Sequence, residues 1–341
     1  MMKKVAVAIS GGVDSAGAAL LLIKEGYQVI GVHLSLESAS EEGKTLCQQL
    51  GIPYYNWDFQ KEFRKEIIEE TVRYYGEGLT PNPCSLCNKK IKLGLFLEKA
   101  CRELQVDYIA TGHYACRKKQ GQFYHLFQAS DKAKDQSYFL AQVNQKILQK
   151  LLLPLGNYKK AEVRDMMRTN NLLVADRKES QNLCFVDGNF SDFLKKYLPV
   201  QRGEIRDENN KLLGHHDGAC FYTLGQRLSI GGSGPYYVAQ KDIKNNILIA
   251  VNNKQSHLLF HKVFYVSDRN WISDIVPSFS LPFLVQTRYH SSFSSAMLEK
   301  TVKKEVIKVI LKNPREDIAP GQIAAFYREE ELLGGGIIKK F

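Results

Sequence analysis

Short apolar runs alternate with longer amphipathic stretches in the N-terminal part of the chain. The runs predict four strands, at residues 5–9, 29–34, 54–57 and 108–111, because each is rich in β-branched or aromatic side chains. The stretches between them predict helices at residues 15–24, 38–50, 61–75 and 88–104. Such alternation predicts a parallel sheet covered by helices on both faces. Ligands of these sheets bind beyond the carboxyl ends of the strands.

The pattern becomes mostly helical in the middle of the chain. Apolar residues recur at helical spacing and predict helices at residues 137–153, 160–171 and 191–198. We interpret them as a helical elaboration of the first domain, which we place at residues 1–200.

Alternating apolar and polar positions dominate the C-terminal part. Two hairpins are predicted at residues 203–214 and 237–251, with paired asparagines at their turns. Six short strands follow, at residues 263–266, 283–289, 296–301, 306–311, 323–327 and 336–338. We therefore expect an α/β domain, a small central β domain at 201–260 and an antiparallel β barrel at 261–341.

Charge and composition indicate the kind of partner and the cellular compartment of the protein. The 341 residues carry 47 Lys and Arg against 36 Asp and Glu, a net charge of +11, which favours a polyanionic partner such as nucleic acid. There is no run of eighteen apolar residues and no leader pattern, so we expect a cytoplasmic protein without a membrane span. Seven scattered cysteines then indicate reduced thiols rather than a disulfide framework.

The first strand leads directly into Ser-Gly-Gly-Val-Asp-Ser at residues 10–15. Paired glycines permit a tight turn, and the amides that open the next helix form an anion site. The Gly-Lys-Ser/Thr ending of a Walker loop is absent, which argues against an ordinary kinase or GTPase. The six residues resemble instead the PP-loop of the N-type ATP pyrophosphatases, which bind the pyrophosphate part of ATP. The alternative is a packing turn without a ligand.

A second informative stretch is TPNPCSLCN at residues 80–88. Its prolines interrupt regular structure, and we expect a helix to begin near Asn88, with Cys87 at its N-terminus. The helix dipole and neighbouring lysines would then lower the pKa of the Cys87 thiol. The sequence argues against a zinc site at Cys84 and Cys87, because it has no second pair of ligands at suitable spacing. A thioredoxin motif would begin a different βαβ pattern, without the preceding prolines. The alternative that both thiols are buried structural residues stays open.

A further cysteine, Cys184, lies in ESQNLCF at residues 179–185, outside any long predicted helix. Sulfur chemistry often passes between two thiols, so Cys184 is a candidate partner for Cys87. The other cysteines, Cys47, Cys101, Cys116 and Cys220, fall within helix or strand patterns, and we interpret them as structural.

Seven motifs taken together carry a resemblance over nearly the whole chain. They are SGGVDS, TPNPCSLCN, ATGHY, KDQSYFL, ESQNLCF, YTLGQR and APGQ, in this order. The chain resembles the bacterial tRNA-specific 2-thiouridylases, which belong to the PP-loop N-type ATP pyrophosphatase superfamily. The resemblance implies an ATP-dependent enzyme that replaces O2 of the wobble uridine with sulfur in tRNAs for Lys, Glu and Gln. It also implies Mg²⁺ and an upstream protein that donates a persulfide.

The resemblance also implies roles for individual residues. Cys184 would receive the persulfide sulfur, and Cys87 would release it by forming a disulfide with Cys184. The nucleotide would contact ten residues: Ala8, Ile9, Ser10, Gly11, Gly12, Val13, Asp14, Ser15, Leu34 and Gly112. The tRNA would contact a further ten: Asn82, Pro83, Cys84, His113, Lys134, Asp135, Gln136, Arg288, Tyr289 and Gln322, of which the first three would touch the target base. Leu34 stands where the family commonly has a Met against adenine.

Three rival interpretations stay open at this stage. Cys84, Cys87 and Cys184 could instead bind a [4Fe-4S] cluster whose fourth iron carries hydrosulfide. The chain could be a tRNA-binding protein that has kept the fold without catalysis. Lysidine or 4-thiouridine synthesis would explain SGGVDS but not the two cysteine motifs. Some proposed contacts also have simple structural alternatives, because Asp135 could cap a turn, and Arg288 with Tyr289 could be an ordinary barrel rim.

Overall fold

The computed structural model describes residues 2–37, 41–177, 183–230 and 234–339. Its N-terminal part contains seven strands: β1 (Lys4–Ala8), β2 (Gln28–Ser35), β3 (Tyr54–Asp58), β4 (Tyr108–Ala110), β5 (Ala115–Gln120), β6 (Phe123–Gln128) and β7 (Leu151–Leu152). Five of these form one sheet in the order β3-β2-β1-β4-β7. All its pairings are parallel, as the alternating pattern predicted.

Helices cover both faces of this sheet. The side chains of a strand alternate between faces, and here both faces are apolar and need to be buried. Val5 and Val7 of β1 pack in one buried cluster, whereas Ala6 packs in another. Two short helices are regular, α1 (Val13–Lys24) and α2 (Glu41–Gln49). Two longer ones alternate α with π segments: α3 (Gln60–Phe63), π Arg64–Glu69 and α4 (Glu70–Gly76), then α5 (Pro83–Cys87), π Asn88–Leu95, α6 (Phe96–Lys99) and π Ala100–Leu104. Residues 38–40 of the second predicted helix lie outside the described residues.

The helix predicted at residues 137–153 is wrong. The chain there forms a 3₁₀ turn, Ser137–Leu140, then α7 (Gln145–Leu148) and strand β7. Its apolar spacing reflects an irregular segment buried against the barrel: Tyr138 is 1 % exposed, and its hydroxyl donates to Ile323 O at 2.9 Å. The other two helices are confirmed with shorter bounds, as α8 (Lys160–Thr169) and α9 (Phe190–Lys195).

The central sheet confirms both predicted hairpins. It contains β8 (Gly203–Arg206), β9 (Leu212–His216), β10 (Arg227–Leu228), β11 (Tyr236–Asp242) and β12 (Ile247–Val251), in the order β10-β11-β12-β8-β9. The hairpin turns use asparagines in the left-handed region, Asn210 at φ 67° and Asn246 at φ 55°. Asn tolerates this conformation better than most residues because its short side chain hydrogen-bonds locally.

The C-terminal sheet is the expected antiparallel barrel. Its six strands are β13 (His261–Trp271), β14 (Phe283–Gln286), β15 (Ser294–Lys300), β16 (Ile307–Arg315), β17 (Ile323–Arg328) and β18 (Glu331–Ile338). Pairing of β13 with β18 closes it. The sequence did not predict the β5–β6 hairpin, which extends the barrel sheet by pairing Leu126 with Leu332. The predicted boundaries at residues 200 and 260 remain predictions.

None of the helices that the structure describes is long and apolar enough to cross a membrane.

Candidate active site

The turn after β1 has the geometry of an anion site. Gly11 adopts φ 74°, in the left-handed region that favours glycine, and Gly12 is the N-cap of α1. A Cβ on Gly11 would lie 2.8 Å from Glu42 Cβ, so the close approach of α2 also requires glycine there. The Ser15 hydroxyl accepts a hydrogen bond from Ser10 N at 3.2 Å and fixes the turn. The N-terminus of α1, where anions are favoured, therefore points out of a rigid loop.

Asp14, in the first turn of α1, is held by two side chains from distant elements. Its Oδ1 accepts hydrogen bonds from Tyr114 Oη at 2.9 Å and from Lys160 Nζ at 2.6 Å. The Lys160 side chain is only 10 % exposed. Sequence reasoning missed Lys160 because it begins α8, far from any motif that suggested phosphate chemistry. The pair keeps a carboxylate and an ammonium together beside the glycine turn.

Gly112 allows the segment after β4 to pass directly against this turn. A Cβ at Gly112 would lie 2.6 Å from the backbone carbonyl carbon of Asp14. Such a contact cannot occur without a backbone shift, so only glycine fits. The segments after β1 and β4 therefore meet at one edge of the sheet.

These segments line a cleft of about 410 Å³, which we call the sheet-edge cleft. Ten of its lining residues had been predicted for nucleotide, RNA or sulfur: Ala8, Ile9, Ser10, Asp14, Ser15, Leu34, Gly112, His113, Gln136 and Cys184. The cleft also contains residues that the sequence did not single out: His33, Leu36, Glu37, Lys92 and Thr111. Gly11, Gly12 and Val13 belong to the adjoining turn and are not among the lining residues. This volume is in the range of small-ligand pockets.

His113 is a neutral side chain in this cleft. Its Nδ1 lies 2.8 Å from Thr111 Oγ1. Burial, with a smaller contribution from the nearby Lys92 ammonium, lowers the pKa of His113 to about 3. At neutral pH it can accept or donate a hydrogen bond, but it carries no charge with which to attract a phosphate.

The cysteine segment differs from its prediction. The helix begins at Pro83 rather than near Asn88, and Asn82 is its N-cap, with Oδ1 accepting from Ser85 N at 2.9 Å. Cys84 therefore lies in the first turn, whereas Cys87 ends α5 and is 4 % exposed. Burial raises the pKa of Cys87 to about 12. The expected lowering of its pKa at a helix N-terminus is wrong, because Cys87 lies inside the helix rather than at its start and is desolvated there.

All three candidate thiols share one electrostatic environment. Desolvation by the protein atoms around each sulfur raises the pKa of Cys84 and Cys184 as well, and the charge of Lys92 opposes the rise at each thiol. Cys84 and Cys184 are exposed, and all seven cysteines are free thiols. Residues 179–182 of the Cys184 motif lie outside the described residues. Of the cysteines interpreted as structural, Cys47 and Cys116 are buried and Cys101 and Cys220 are half-buried.

The side chains around the sheet-edge cleft differ in their fitness for metal ions. In the described ranges, no three His, Cys, Asp or Glu side chains converge closely enough to hold a metal ion. The cysteine arrangement therefore does not fit a three-thiolate iron–sulfur site, and we derive no step through one. Mg²⁺ has a different requirement, because it is usually held by one or two carboxylates together with substrate phosphates. The Asp14 carboxylate lines the cleft beside the anion site and fits that requirement.

A second cleft, of about 500 Å³, lies where the cysteine segment, the central sheet and the barrel meet; we call it the junction cleft. Its lining residues are Thr80, Asn82, Thr223, Leu224, Gly225, Gln226, Arg288, Tyr289 and Gln322, four of which had been predicted to contact tRNA. The contact between segments is close: Thr80 N donates to Pro320 O at 2.7 Å, and Gln322 Nε2 donates to Pro81 O at 3.3 Å. The ring of Tyr289 lies 4.4 Å from that of Phe139.

The remaining predicted contacts differ in their surroundings. Pro83 is buried, and Lys134 is half-buried. Asp135 is 9 % exposed, and its carboxylate accepts hydrogen bonds from Ala129 N at 2.8 Å and Ser137 Oγ at 2.8 Å. Asp135 therefore has a local structural role, which was its simpler alternative. RNA contact by Lys134 stays a prediction.

Known proteins match this chain over nearly its whole length. Family models match residues 3–188 (tRNA methyl transferase HUP domain), 191–252 (tRNA methyl transferase PRC-barrel domain) and 261–338 (Aminomethyltransferase beta-barrel domain). A tRNA-specific 2-thiouridylase MnmA from Francisella tularensis is 38 % identical over 98 % of this chain and 99 % of its own. One from Limosilactobacillus fermentum is 37 % identical over 99 % and 95 %. The solved structure of NMN synthetase from Francisella tularensis aligns weakly, at 16 % identity and a TM-score of 0.33, over 52 % of this chain and 67 % of its own. The chain belongs to the family of tRNA-specific 2-thiouridylases.

Proposed function

We propose that this protein uses ATP to replace O2 of the wobble uridine with sulfur in tRNAs for Lys, Glu and Gln. The products are 2-thiouridine, AMP and pyrophosphate. One observation carries the proposal: Cys184 lines the same cleft as Ser10, Asp14 and Ser15 of the glycine turn, so a thiol and an anion site face one reacting centre. ATP activation and sulfur transfer then need no separate active sites.

The first step activates a poor leaving group. The uracil C2 oxygen attacks the α-phosphorus of ATP, the bond from that phosphorus to the pyrophosphate breaks, and an O-adenylated uridine forms. The N-terminus of α1 and the Lys160 ammonium beside Asp14 stabilise the negative charge that builds on the departing pyrophosphate. Mg²⁺, held at Asp14, supplies further neutralisation of the phosphates when bound.

The second step transfers sulfur. A persulfide on Cys184, delivered by an upstream donor protein, attacks C2 through its terminal sulfur, and AMP leaves with the former O2. The Cys87 thiolate then attacks the inner sulfur, which breaks the S–S bond and forms a Cys87–Cys184 disulfide. Oxidation of the two thiols balances reduction of the transferred sulfur. A dithiol reductant must restore the thiols before the next turnover.

The junction cleft supports an RNA substrate. It combines the amides of Asn82, Gln226 and Gln322 with an aromatic ring, Tyr289, and a guanidinium, Arg288. These groups can hydrogen-bond base edges, stack on a base and pair with a phosphate. A base stacked in the anticodon loop cannot enter the cleft that Cys184 lines, so the target uridine must flip out of the loop. The net charge of +11 favours the same partner.

The proposal is tested by mass spectrometry of nucleosides from tRNA incubated with the protein, ATP, Mg²⁺ and a small-molecule persulfide. We expect 2-thiouridine in tRNAs for Lys, Glu and Gln, with no product when ATP is omitted. A parallel incubation with sulfide alone, using anaerobically purified protein, separates the mechanisms. Product from sulfide but not persulfide would favour the [4Fe-4S] alternative. Bound but unmodified tRNA in both incubations would favour the non-catalytic alternative.

A further inference from the structure

The helix that carries Cys84 and Cys87 is wider than an α-helix just after Cys87. Residues Asn88–Leu95 form a π segment, closed by hydrogen bonds between residues five apart. An α-helix separates such residues by about 140° around its axis, whereas a π turn brings them to nearly the same side. Lys92 follows Cys87 by five residues. The wide turn therefore places Lys92 on the side of the helix that carries the Cys87 thiol.

A glycine accommodates this turn. A Cβ at Gly94 would lie 2.7 Å from the carbonyl oxygen of Lys89, which is five residues earlier. Alanine normally favours a helix over glycine. At position 94 an alanine methyl group would be too close to the Lys89 carbonyl oxygen, so alanine fits only if the backbone shifts. Gly94 thus allows the π turn that places Lys92 on the same side of the helix as Cys87.

Lys92 is half-buried and lines the sheet-edge cleft with Cys184 and His113. Its ammonium opposes the raised pKa of Cys84, Cys87 and Cys184. Within the part of the chain that the structure describes, Lys92 is the one Lys or Arg that lines this cleft. The other titratable groups lining it are Asp14, His33, Glu37, His113 and Cys184, and Glu37 adds negative potential at Cys184.

The surroundings of the three sulfurs disfavour negative charge, and Lys92 opposes this effect. Burial disfavours any anion on the three sulfurs, Glu37 disfavours it further at Cys184, and neutral His113 offers no charge. Sulfur transfer nevertheless passes through anionic sulfur, because the thiolate or persulfide anion is the nucleophile. Lys92 is the group in the cleft that can stabilise this anion.

We propose that Lys92 is a positioning residue for sulfur transfer, held by the π turn as the counter-ion of anionic sulfur at Cys87 and Cys184. This inference rests on the proposed function for its role in turnover. The underlying electrostatic claim requires neither ATP nor tRNA, so it can be tested separately.

The test measures how fast iodoacetamide alkylates Cys184 in the intact protein, by peptide mass spectrometry across a pH series. In the Lys92→Met variant, which keeps the chain length but removes the charge, we expect alkylation to slow about tenfold at mildly alkaline pH, as for a shift of one pKa unit. The pH profile should move to higher pH. Lys92→Arg should restore the wild-type rate and profile. Lys89→Met, at an exposed position of the same helix, should leave both unchanged.

Wild-type alkylation and pH profile in folded Lys92→Met protein would overturn the proposal. Gly94→Ala tests the π turn without changing charge, and it should slow alkylation in the same direction. If Gly94→Ala alkylates at the wild-type rate, the wide turn is not what positions Lys92. Normal thiol results with no 2-thiouridine formed would instead contradict the proposed function alone.

Discussion

The sheet-edge cleft and the junction cleft are of similar size but are built in different ways. The first collects the loops that follow parallel strands, so the topology of one sheet brings most of its residues together, and Lys92, Gln136 and Cys184 join them from other segments. The second exists only because Thr80–Asn82, the Thr223–Gln226 turn and the barrel loops meet. The first is lined by one thiol, Cys184, together with a neutral His and a cation, whereas the second presents amides, an aromatic ring and a guanidinium. The difference suggests chemistry in one and recognition in the other.

Removing the sulfur carrier should have the largest effect. Cys184→Ser deletes the thiol that holds the persulfide, so 2-thiouridine formation should fall by roughly a thousandfold or more, as for other nucleophile deletions. Binding of tRNA should be retained, because Cys184 does not line the junction cleft. Cys101→Ser, in a half-buried helical position, is the matched control and should keep activity. Retained turnover in Cys184→Ser would remove the role we assign to it.

A methyl group at Gly112 should damage the sheet-edge cleft selectively. In Gly112→Ala the added Cβ would lie 2.6 Å from the Asp14 backbone, which forces the anion site to shift. Strain of this kind costs about 1–3 kcal/mol, so calorimetry should show ATP affinity about ten- to a hundredfold lower. Gly76→Ala is the control, because its Cβ would make an ordinary 3.4 Å contact with Leu198. Equal ATP affinity in both variants would contradict the assigned geometry.

The junction cleft is tested by removing its aromatic ring. Tyr289→Ala should weaken tRNA binding roughly ten- to a hundredfold, as expected for loss of base stacking, and leave ATP affinity unchanged. Tyr265→Ala, on the outer barrel surface at 37 % exposure, should bind tRNA like the wild type. Filter binding measures both variants. If both bind tRNA equally well, the junction cleft does not recognise RNA through Tyr289.

The smallest effect concerns pH. The pKa of His113 is lowered to about 3 in the folded protein, while an unfolded His titrates near about 6.5. Between pH about 6.5 and about 3, His113 binds a proton in the unfolded state but not in the folded state. The free energy of unfolding therefore falls as the pH drops through this range. At pH about 5 this costs on the order of 1–2 kcal/mol. Urea unfolding at neutral and acidic pH should show a smaller acid loss in His113→Gln, with exposed His215→Gln as the control. Equal losses of stability in the two variants would contradict a neutral His113.

The two clefts also differ in how far the sequence predicts them. Residues 10–15 follow a strand and open a helix, so their local pattern alone indicates an anion site. The junction cleft cannot be found this way, since Asn82, Thr223 and Gln322 meet only through tertiary packing, and the resemblance supplied four of its nine lining residues. Periodicity failed at residues 137–153 because burial against the barrel produced helix-like apolar spacing. The Cys87 environment was misjudged because sequence shows charge nearby but not desolvation.

The central claim is that ATP activates the uridine carbonyl itself in the sheet-edge cleft. Transfer RNA carrying ¹⁸O at C2 of the wobble uridine tests it directly, by mass spectrometry of the AMP formed during thiolation. The account predicts that each 2-thiouridine is accompanied by one AMP that has gained the label. Formation of 2-thiouridine with only unlabelled AMP would mean that water, not the uridine, attacks ATP, and would contradict the account.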